Sequence, residues 1–484
     1  MGTWQEAIYR RAPIPLQNTL LTLHGWRLRR ARFGEGYRRL RREFDALEAA
    51  SRPQQKAYQE ERLAALIRHC YENVPYYRQV MDERKLRPGD VRSIEDLAKL
   101  PILEKEDLRR NFEALVSRVA NPRRLRRAHT SGTTGSPLEC YWDDSVDCAT
   151  NAALWSHRSW AGFSFGRPYA ALLGRIIVPD RQHAPPFWRA NRAWNQLFLS
   201  SFHLDERTVD SYLEAMQSFG TEALDAYPST AYLLACHLRS RGRTLPLKCV
   251  FTSAETLLPI QREVIQERFV CPVYDYLGEA ERVLFAGECP SGEGMHLFSG
   301  YGIAEIADDR GAPRPEGEAG HLIVTGLHNY AMPLIRYRLG DVSAVRGERC
   351  GCGRTLPLMD PVTTKAEDIV VTPEGRHVSA STLTHPFKPM KNVLASQIVQ
   401  ETLHSLIIRI VRRPAYTDDD TRILVSEFRK RVGDTMKIEV VFVDSIPRGP
   451  RGKLRWVISK VPLRFGVQTS KNLFAESDAE QKAG

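Results

Sequence analysis

The sequence predicts an α/β protein, with a large multi-layer N-terminal domain and a small α+β domain after it. Three observations carry that expectation. From residue 128 onward, short apolar runs alternate with amphipathic segments, as layered strands and helices require. Around 366–370 the chain reads AEDIV and the pattern changes: strand-like runs at 396–411 and 437–443 flank a helical stretch at 418–432. The chain has 484 residues, enough for two or three domains with a large core. The expected division is 1–367 for the large domain, opened by a helical segment over 1–125, then 368–465 for the small one. A polar tail over 466–484 is expected to be mobile.

In chain order, residues 1–50 are basic and should be helical after Pro15. Residues 54–82 carry Leu63, Leu66 and Ile67 on one helical face, and Pro75 should stop that helix. Ser93-Ile94-Glu95-Asp96 is a capping-box pattern and predicts a short helix. Strands are expected at 170–173, 248–252, 272–276 and 320–325, and helices at 208–219, 229–240 and 257–269. No internal repeat is visible.

Composition narrows the function classes. Hydrophobic residues make up 42% and charged residues 26%, the balance of an ordinary globular chain. No run approaches the roughly 20 apolar residues of a membrane span. The N-terminus lacks the order of a signal peptide, and Gly2 has no Ser or Thr at position 6 for myristoylation. A cytoplasmic protein is the expectation. The net charge is +11, yet only 14 of 69 cations are Lys, a bias that a GC-rich genome produces by itself. The dense cluster Arg27, Arg29, Arg30, Arg32, Arg38, Arg39, Arg41 and Arg42 reads as a solvated helical face, with peripheral contact to an anionic surface as the alternative. No aromatic-basic recognition module is present, so no nucleic-acid partner is expected.

Three segments carry chemistry. Thr130-Ser131-Gly132-Thr133-Thr134-Gly135-Ser136-Pro137 combines two glycines with hydroxyl donors, a composition that lets backbone and side chains wrap phosphate oxygens. It is not a Walker A loop, since no Gly-Lys-Ser/Thr closes it. Tyr337-Arg338-Leu339-Gly340-Asp341 ends in a carboxylate that can take a vicinal diol with its two oxygens. Pro447 to Lys453 (PRGPRGK) presents a point cation on a flexible stem.

In this order the segments resemble the signatures of the adenylate-forming superfamily, which comprises acyl-CoA synthetases, peptide-synthetase adenylation domains and luciferases. The resemblance implies a large adenylate-forming domain with a small mobile C-terminal domain. It implies that Thr130, Ser131, Gly132, Thr133, Thr134 and Gly135 hold ATP phosphates, that Asp341 grips the ribose, and that Lys453 stabilises charge on the attacking carboxylate and α-phosphate. Thr252-Ser253-Ala254-Glu255 matches a second nucleotide-lining segment. Tyr276-Leu277-Gly278-Glu279-Ala280-Glu281 matches an aromatic-Gly-x-x-Glu motif at Gly278 and Glu281, which makes Glu281 the Mg²⁺ ligand. Leu277 departs from that motif, with Tyr276 as the neighbouring aromatic. Thr364-Lys365-Ala366-Glu367-Asp368 matches the interdomain hinge, with Asp368 kept and Lys365 in place of the Arg that approaches the ribose.

Nearly the whole chain resembles the phenylacetate–CoA ligase-like branch, and within it the CapK-like capsule-biosynthesis proteins. That implies ATP-dependent activation of a carboxylic acid as an acyl-adenylate, then transfer to CoA or to another acceptor thiol, amine or hydroxyl. The alternative is a catalytically degenerate binding protein on the same fold in polysaccharide biosynthesis. Trp155, Trp160, Phe163, Tyr227 and His157 line the acyl pocket or else are plain core.

Nine cysteines divide into two sets. Cys70, Cys140, Cys148, Cys236, Cys249 and Cys271 are scattered and read as small core residues. Cys289 and His296 pair with Cys350 and Cys352 in segments typical of the CapK-like subgroup, and three thiolates plus one imidazole complete a tetrahedral zinc site. The alternative is a set of free cysteines near the active site.

Overall fold

A computed structural model describes residues 9–129, 138–179, 181–204, 207–255, 257, 259–308, 310–318, 320–362, 369–379, 382–383, 385–387, 389–390, 392–446 and 457–461. Its centre is a ten-stranded sheet. Five strands run parallel in the order Val273–Gly278, Cys249–Ser253, Ala223–Ala226, Tyr169–Leu172 and Gln196–Leu199. Trp188–Asn191 adds antiparallel at one edge, and Phe285–Glu288, Met295–Leu297, Leu358–Met359 and Val345–Arg346 add antiparallel at the other. Tyr169–Leu172, Gln196–Leu199, Ala223–Ala226 and Cys249–Ser253 are buried at every position, as strands covered on both faces must be.

Helix Asp144–Trp160 covers one face. Asp143 caps it by accepting from Ser145 N at 2.9 Å, and Val146, Ala149, Ala153 and Trp155 pack inward. Asp147 on its first turn is the hub of a buried ion cluster. Arg32 lies 3.0 Å away and Arg282 2.7 Å away, and Arg126 also reaches it. Burial works to raise the Asp147 pKa, but the guanidiniums outweigh it and hold the carboxyl below its usual range. The cluster joins the N-terminal helix, the hairpin before helix Asp144–Trp160 and the loop at 279–283.

A second core packs the helices of residues 52–115 against the antiparallel sheet Gly302–Ala307, Gly320–Gly326 and Tyr337–Ser343. Leu63, Leu66 and Ile67 are fully buried there, as their spacing predicts. Pro75 does more than stop a helix: Arg52–Asn73 ends before it, and Pro75–Glu83 starts on it, since a first-turn proline has no N–H to lose. The helix expected after Ser93 is a single 3₁₀ turn, Glu95–Lys99.

A separate core of residues 370–457 surrounds the sheet Lys437–Phe442, Ser405–Arg412, Val393–Thr402 and Val457–Ser459, crossed by helix Asp418–Val432. The run expected as one strand at 396–411 is two, because the chain turns back at 403–404. Three aspartates in the first turn of helix Asp418–Val432, and Arg429, Lys430 and Arg431 in the last, complement its dipole. Among the described residues no helix is long and apolar enough to cross a membrane.

Candidate functional site

The parallel strands end along one edge, and open α/β sheets bind ligands outside such carboxyl ends. Ser253 closes its strand, buried, and Ala254 follows with φ +69°. That left-handed backbone costs a residue with a Cβ about 1–2 kcal/mol. It turns the chain sharply, so that Ala254 is exposed and Glu255 half-buried at the strand end. Beneath this turn Thr252 Oγ1 donates to Asp275 Oδ1 at 2.7 Å. Asp275 N donates to Glu288 at 2.9 Å, and Arg262 Nη2 reaches both Glu288 oxygens at 2.7 and 2.8 Å. Burial, with help from Glu288, pushes Asp275 up to about 8.

Tyr276 and Leu277 point to opposite faces of their strand, as alternation demands. Tyr276 stacks on Phe285 with centroids 5.7 Å apart, beside His157. Leu277 packs against the second core. Gly278 is exposed at the strand end. The next turn holds two carboxylates. Glu281 is 4% exposed and accepts from Tyr337 Oη at 2.9 Å. Glu279 Oε1 accepts from the N–H groups of Val283, at 3.0 Å, and Leu284. Its Oε2 is buried and, among the described residues, has no hydrogen-bond partner. Burial and the neighbouring Glu281 push Glu279 up to about 8. An orphaned carboxylate oxygen beside a second buried carboxylate fits a hard divalent cation. The motif pointed to Glu281 alone; Glu279 was legible only as a second acid two residues away.

Tyr337 also opens the strand that carries Asp341, so its hydroxyl ties the Glu281 turn to that strand. Asp341 is half-buried. Gly340 before it has φ +96°, and a Cβ there would lie 2.9 Å from Lys105 Nζ. Lys105 is brought in by a short parallel bridge: Leu103 N donates to Arg336 O and Arg338 N to Leu103 O, at 3.0 and 3.1 Å. Glu104 then takes Arg338 at 2.8 Å. No motif flagged this ammonium beside Gly340.

The loop at Thr130, Ser131, Gly132, Thr133, Thr134 and Gly135 lies outside the described residues, as do Lys365, Asp368 and Lys453. Its flanks are paired antiparallel strands, Arg126–His129 and Glu139–Trp142. Cys140 Sγ approaches Ala280 O at 3.6 Å, which sets the second flank against the Glu279–Glu281 turn. Of the five possible acyl-pocket residues, Trp155, Trp160, Phe163 and His157 are core. Burial pushes His157 down to about 3, and its Nε2 pairs with Glu288 O at 2.9 Å. Tyr227 is buried just past the end of strand Ala223–Ala226, with its hydroxyl facing Gly174.

On the antiparallel side of the sheet, Cys289, His296, Cys350 and Cys352 bring their ligand atoms within 4.8 Å of one another. Cys289 and Cys350 sulfurs are 3.4 Å apart, and Cys352 Sγ is 3.3 Å from His296 Nε2. His296 Nδ1 pairs with Leu356 O at 3.2 Å, which leaves Nε2 for a metal. Arg354 N donates to Cys352 Sγ, and Gly353 takes φ +83° in that turn. Four soft and borderline donors at tetrahedral separations fit zinc. The remaining cysteines are free thiols in the core, except that Cys148 is only half-buried.

A cavity of about 830 Å³ lies where Phe187, Phe202 and Arg207 of the large unit face Arg376, Arg422 and Arg429 of the small one. Arg376 Nη1 donates to Phe202 O at 3.0 Å across this boundary.

Residues 370–460 match the family model described as the CapK C-terminal domain. Over 471 residues the chain is 25% identical to protein CapK of Staphylococcus aureus, covering 94% of this chain and 99% of that one. It is 27% identical to phenylacetate-coenzyme A ligase of Thermus thermophilus over 473 residues, 85% of this chain and 98% of that one. A solved 2-hydroxyisobutyryl-CoA ligase, bound to 2-HIB-AMP and CoA, matches the fold with TM-score 0.55 at 20% identity, over 85% of this chain and 91% of that one. Along most of its length the chain is therefore similar to protein CapK and to phenylacetate-coenzyme A ligases, and it has the fold of an adenylate-forming CoA ligase.

Proposed function

We propose that this protein activates a carboxylic acid with ATP and passes the acyl group to CoA or to another thiol, amine or hydroxyl. One observation carries the reading: the Tyr337–Glu281 hydrogen bond joins two motif segments at the carboxyl edge of the parallel strands. The substrate carboxylate attacks the α-phosphorus, the bond to pyrophosphate breaks, and an acyl-adenylate forms. The acceptor then attacks the carbonyl carbon and AMP leaves. The similarity to phenylacetate-coenzyme A ligases, and to a solved ligase holding an adenylate with CoA, supports both half-reactions.

The proposed roles follow from chemistry. Asp341 accepts from the ribose hydroxyls, with Lys105 as a neighbouring cation. Ser253, Ala254, Glu255, Tyr276 and Gly278 line the nucleotide, and residues 130–135 hold its phosphates. Glu281, with Glu279, would hold Mg²⁺, which supplies charge neutralisation on the phosphates when bound. Lys453, brought in by a domain rotation about Asp368, opposes charge in the transition state, and Lys365 approaches the ribose. Cys289, His296, Cys350 and Cys352 hold a structural zinc, which a reducing cytoplasm favours over a disulfide.

A pyrophosphate-release screen over a panel of carboxylic acids, with and without CoA, tests the reading. Release with at least one acid, accompanied by a rise in Tm with ATP–Mg²⁺, is expected. No release and no stabilisation would replace it with the second reading, a nucleotide-independent binding protein on the ligase fold. Leu277 favours that second reading, because its side chain is committed to the core where the family places an aromatic ring.

A further inference from the structure

Helix Ile14–Arg32 packs on the edge strand Trp188–Asn191, and it does so with the wrong face. A surface helix ordinarily turns its apolar stripe inward and its polar side to water. Here most of the inward contacts are polar or small, with Leu28 the leucine of this helix that packs on the large core. Gln17 is 2% exposed and takes Arg189. Asn18 Oδ1 accepts from Ala190 N at 3.0 Å, and Thr22 Oγ1 from Arg192 N at 3.2 Å. Gly25 O accepts from Trp194 Nε1 at 2.9 Å, and a Cβ on Gly25 would meet Asn191 at 2.3 Å. Farther along, Arg29 donates to Ala193 O and Arg32 pairs with Asp147. These contacts fix the helix's rotation through hydrogen bonds and one close backbone approach.

The opposite side is apolar and then cationic. Leu16, Leu20 and Leu23 follow at i, i+4 and i+7, and Arg27 and Arg30 continue the same stripe. Leu16 is 45% exposed, Leu23 60%, and Trp26 at the margin 48%. They are three of the large hydrophobic side chains exposed in the described molecule. Arg27 and Arg30 are exposed and, among the described residues, meet no carboxylate.

We propose that this helix docks the protein on an anionic lipid surface. Leucines and a tryptophan would enter the boundary of headgroups and acyl chains, with Arg27 and Arg30 over the lipid phosphates. Tryptophan suits that depth, since its ring is apolar and its N–H is polar. Charge complementarity selects this occupant over a second copy of the chain. The protein carries a net charge of +11, and pairing two such helices would set Arg27 and Arg30 against like charges. The stripe is also one helix wide, far short of the roughly 800 Å² per partner of a stable protein interface. Chemistry at a membrane surface suits an acyl group destined for an acceptor that is itself held there.

The test is co-sedimentation of the full chain with vesicles of 70:30 phosphatidylcholine to phosphatidylglycerol, and with phosphatidylcholine alone, in 50 and 500 mM salt. Binding to the anionic vesicles at 50 mM salt is expected, at least about tenfold above the neutral ones and reduced by salt. The double variants Leu23→Ser/Trp26→Ser and Arg27→Glu/Arg30→Glu are each expected to weaken it about tenfold or more. All four side chains are exposed, so Tm should stay within a few degrees of the parent. Trp26 adds a direct readout: brominated phosphatidylcholine should quench part of the fluorescence, and Trp26→Phe should remove that part. No sedimentation with anionic vesicles at 50 mM salt would overturn the proposal. So would sedimentation unchanged in the Leu23→Ser/Trp26→Ser variant, which would place the contact elsewhere. A concentration-dependent dimer abolished by the same variant would assign the face to a second copy and overturn it as well.

Discussion

Cys289, His296, Cys350 and Cys352 come from a strand end, a neighbouring strand and one loop and lie within 4.8 Å of one another, whereas the residues proposed for the nucleotide range from Thr130 to Lys453 in the sequence. The first group is complete without a ligand: its imidazole is oriented by Leu356 O and one thiol by Arg354 N. The second shows its permanent half, the carboxylates at 279 and 281 and the strand into Asp341, built on a buried tyrosine. The contrast separates two uses of side chains. In the proposed reading, a structural centre is held closed by local backbone turns, while a catalytic centre would be assembled from distant parts so that some of them can move.

Perturbing each half should therefore give opposite signatures. The largest effect is expected from Lys453→Ala. It should lower pyrophosphate exchange with an active acid by roughly 10²–10³-fold, with Tm unchanged. Exchange at the parent rate would show that the cation is not needed in the first half-reaction. Stripping metal with a chelator, or making Cys350→Ser, should do the reverse. Tm should fall by about 10 °C, while activity per folded molecule at low temperature persists. Metal analysis that finds no zinc in the purified chain would break the comparison at its root.

The platform beneath the crevice should respond to pH. Asp275 is raised to about 8 from the usual carboxylate value, so the folded state binds a proton that the unfolded state has released. Its contribution is complete below about pH 4 and is lost as pH rises through 8, at up to about 1.4 kcal/mol per pH unit. Between pH 5.5 and 7.5 the urea-unfolding free energy should drop by roughly 2 kcal/mol from this group, and Asp275→Asn should flatten that slope. An identical slope in the variant would remove Asp275 as its source. The smallest effect is expected from Leu277→Tyr, which offers the missing ring to the nucleotide. A two- to tenfold gain in ATP–Mg²⁺ affinity is about what one aromatic contact supplies. Calorimetry showing weaker binding would mean that Leu277 matters more to the core than to the ligand.

Much of the fold was visible in residue order. The apolar runs that became Cys249–Ser253 and Val273–Gly278 were found within one or two residues, whereas Gln196–Leu199 and Ala223–Ala226, buried at every position, were not among the expected strands. The Cys–His quartet was singled out by its resemblance to CapK-like segments, and the structure brings its ligand atoms within 4.8 Å of one another. The resemblance to a family motif singled out Glu281 but not Glu279, since acids in loops are common and only burial marks this one. Lys105 and the three arginines around Asp147 left no signal, because each contact joins segments far apart in sequence. The aromatic residues at 155–163 could be pocket or core until packing decided for core.

By itself, then, the order of residues pointed to the α/β class, the C-terminal unit, a Cys–His cluster that could hold a metal and, through resemblance to a known family, the types of group proposed for a nucleotide. Those depend on periodicity and chemical identity, which are local properties of a chain. Tertiary structure alone decided that Tyr337 secures Glu281, that Lys105 stands against Gly340, and that helix Ile14–Arg32 turns Leu16 and Leu23 to solvent. A helical pattern states which residues share a face. Which face is turned inward depends on the surface the helix meets, and here that surface was a strand edge demanding hydrogen bonds.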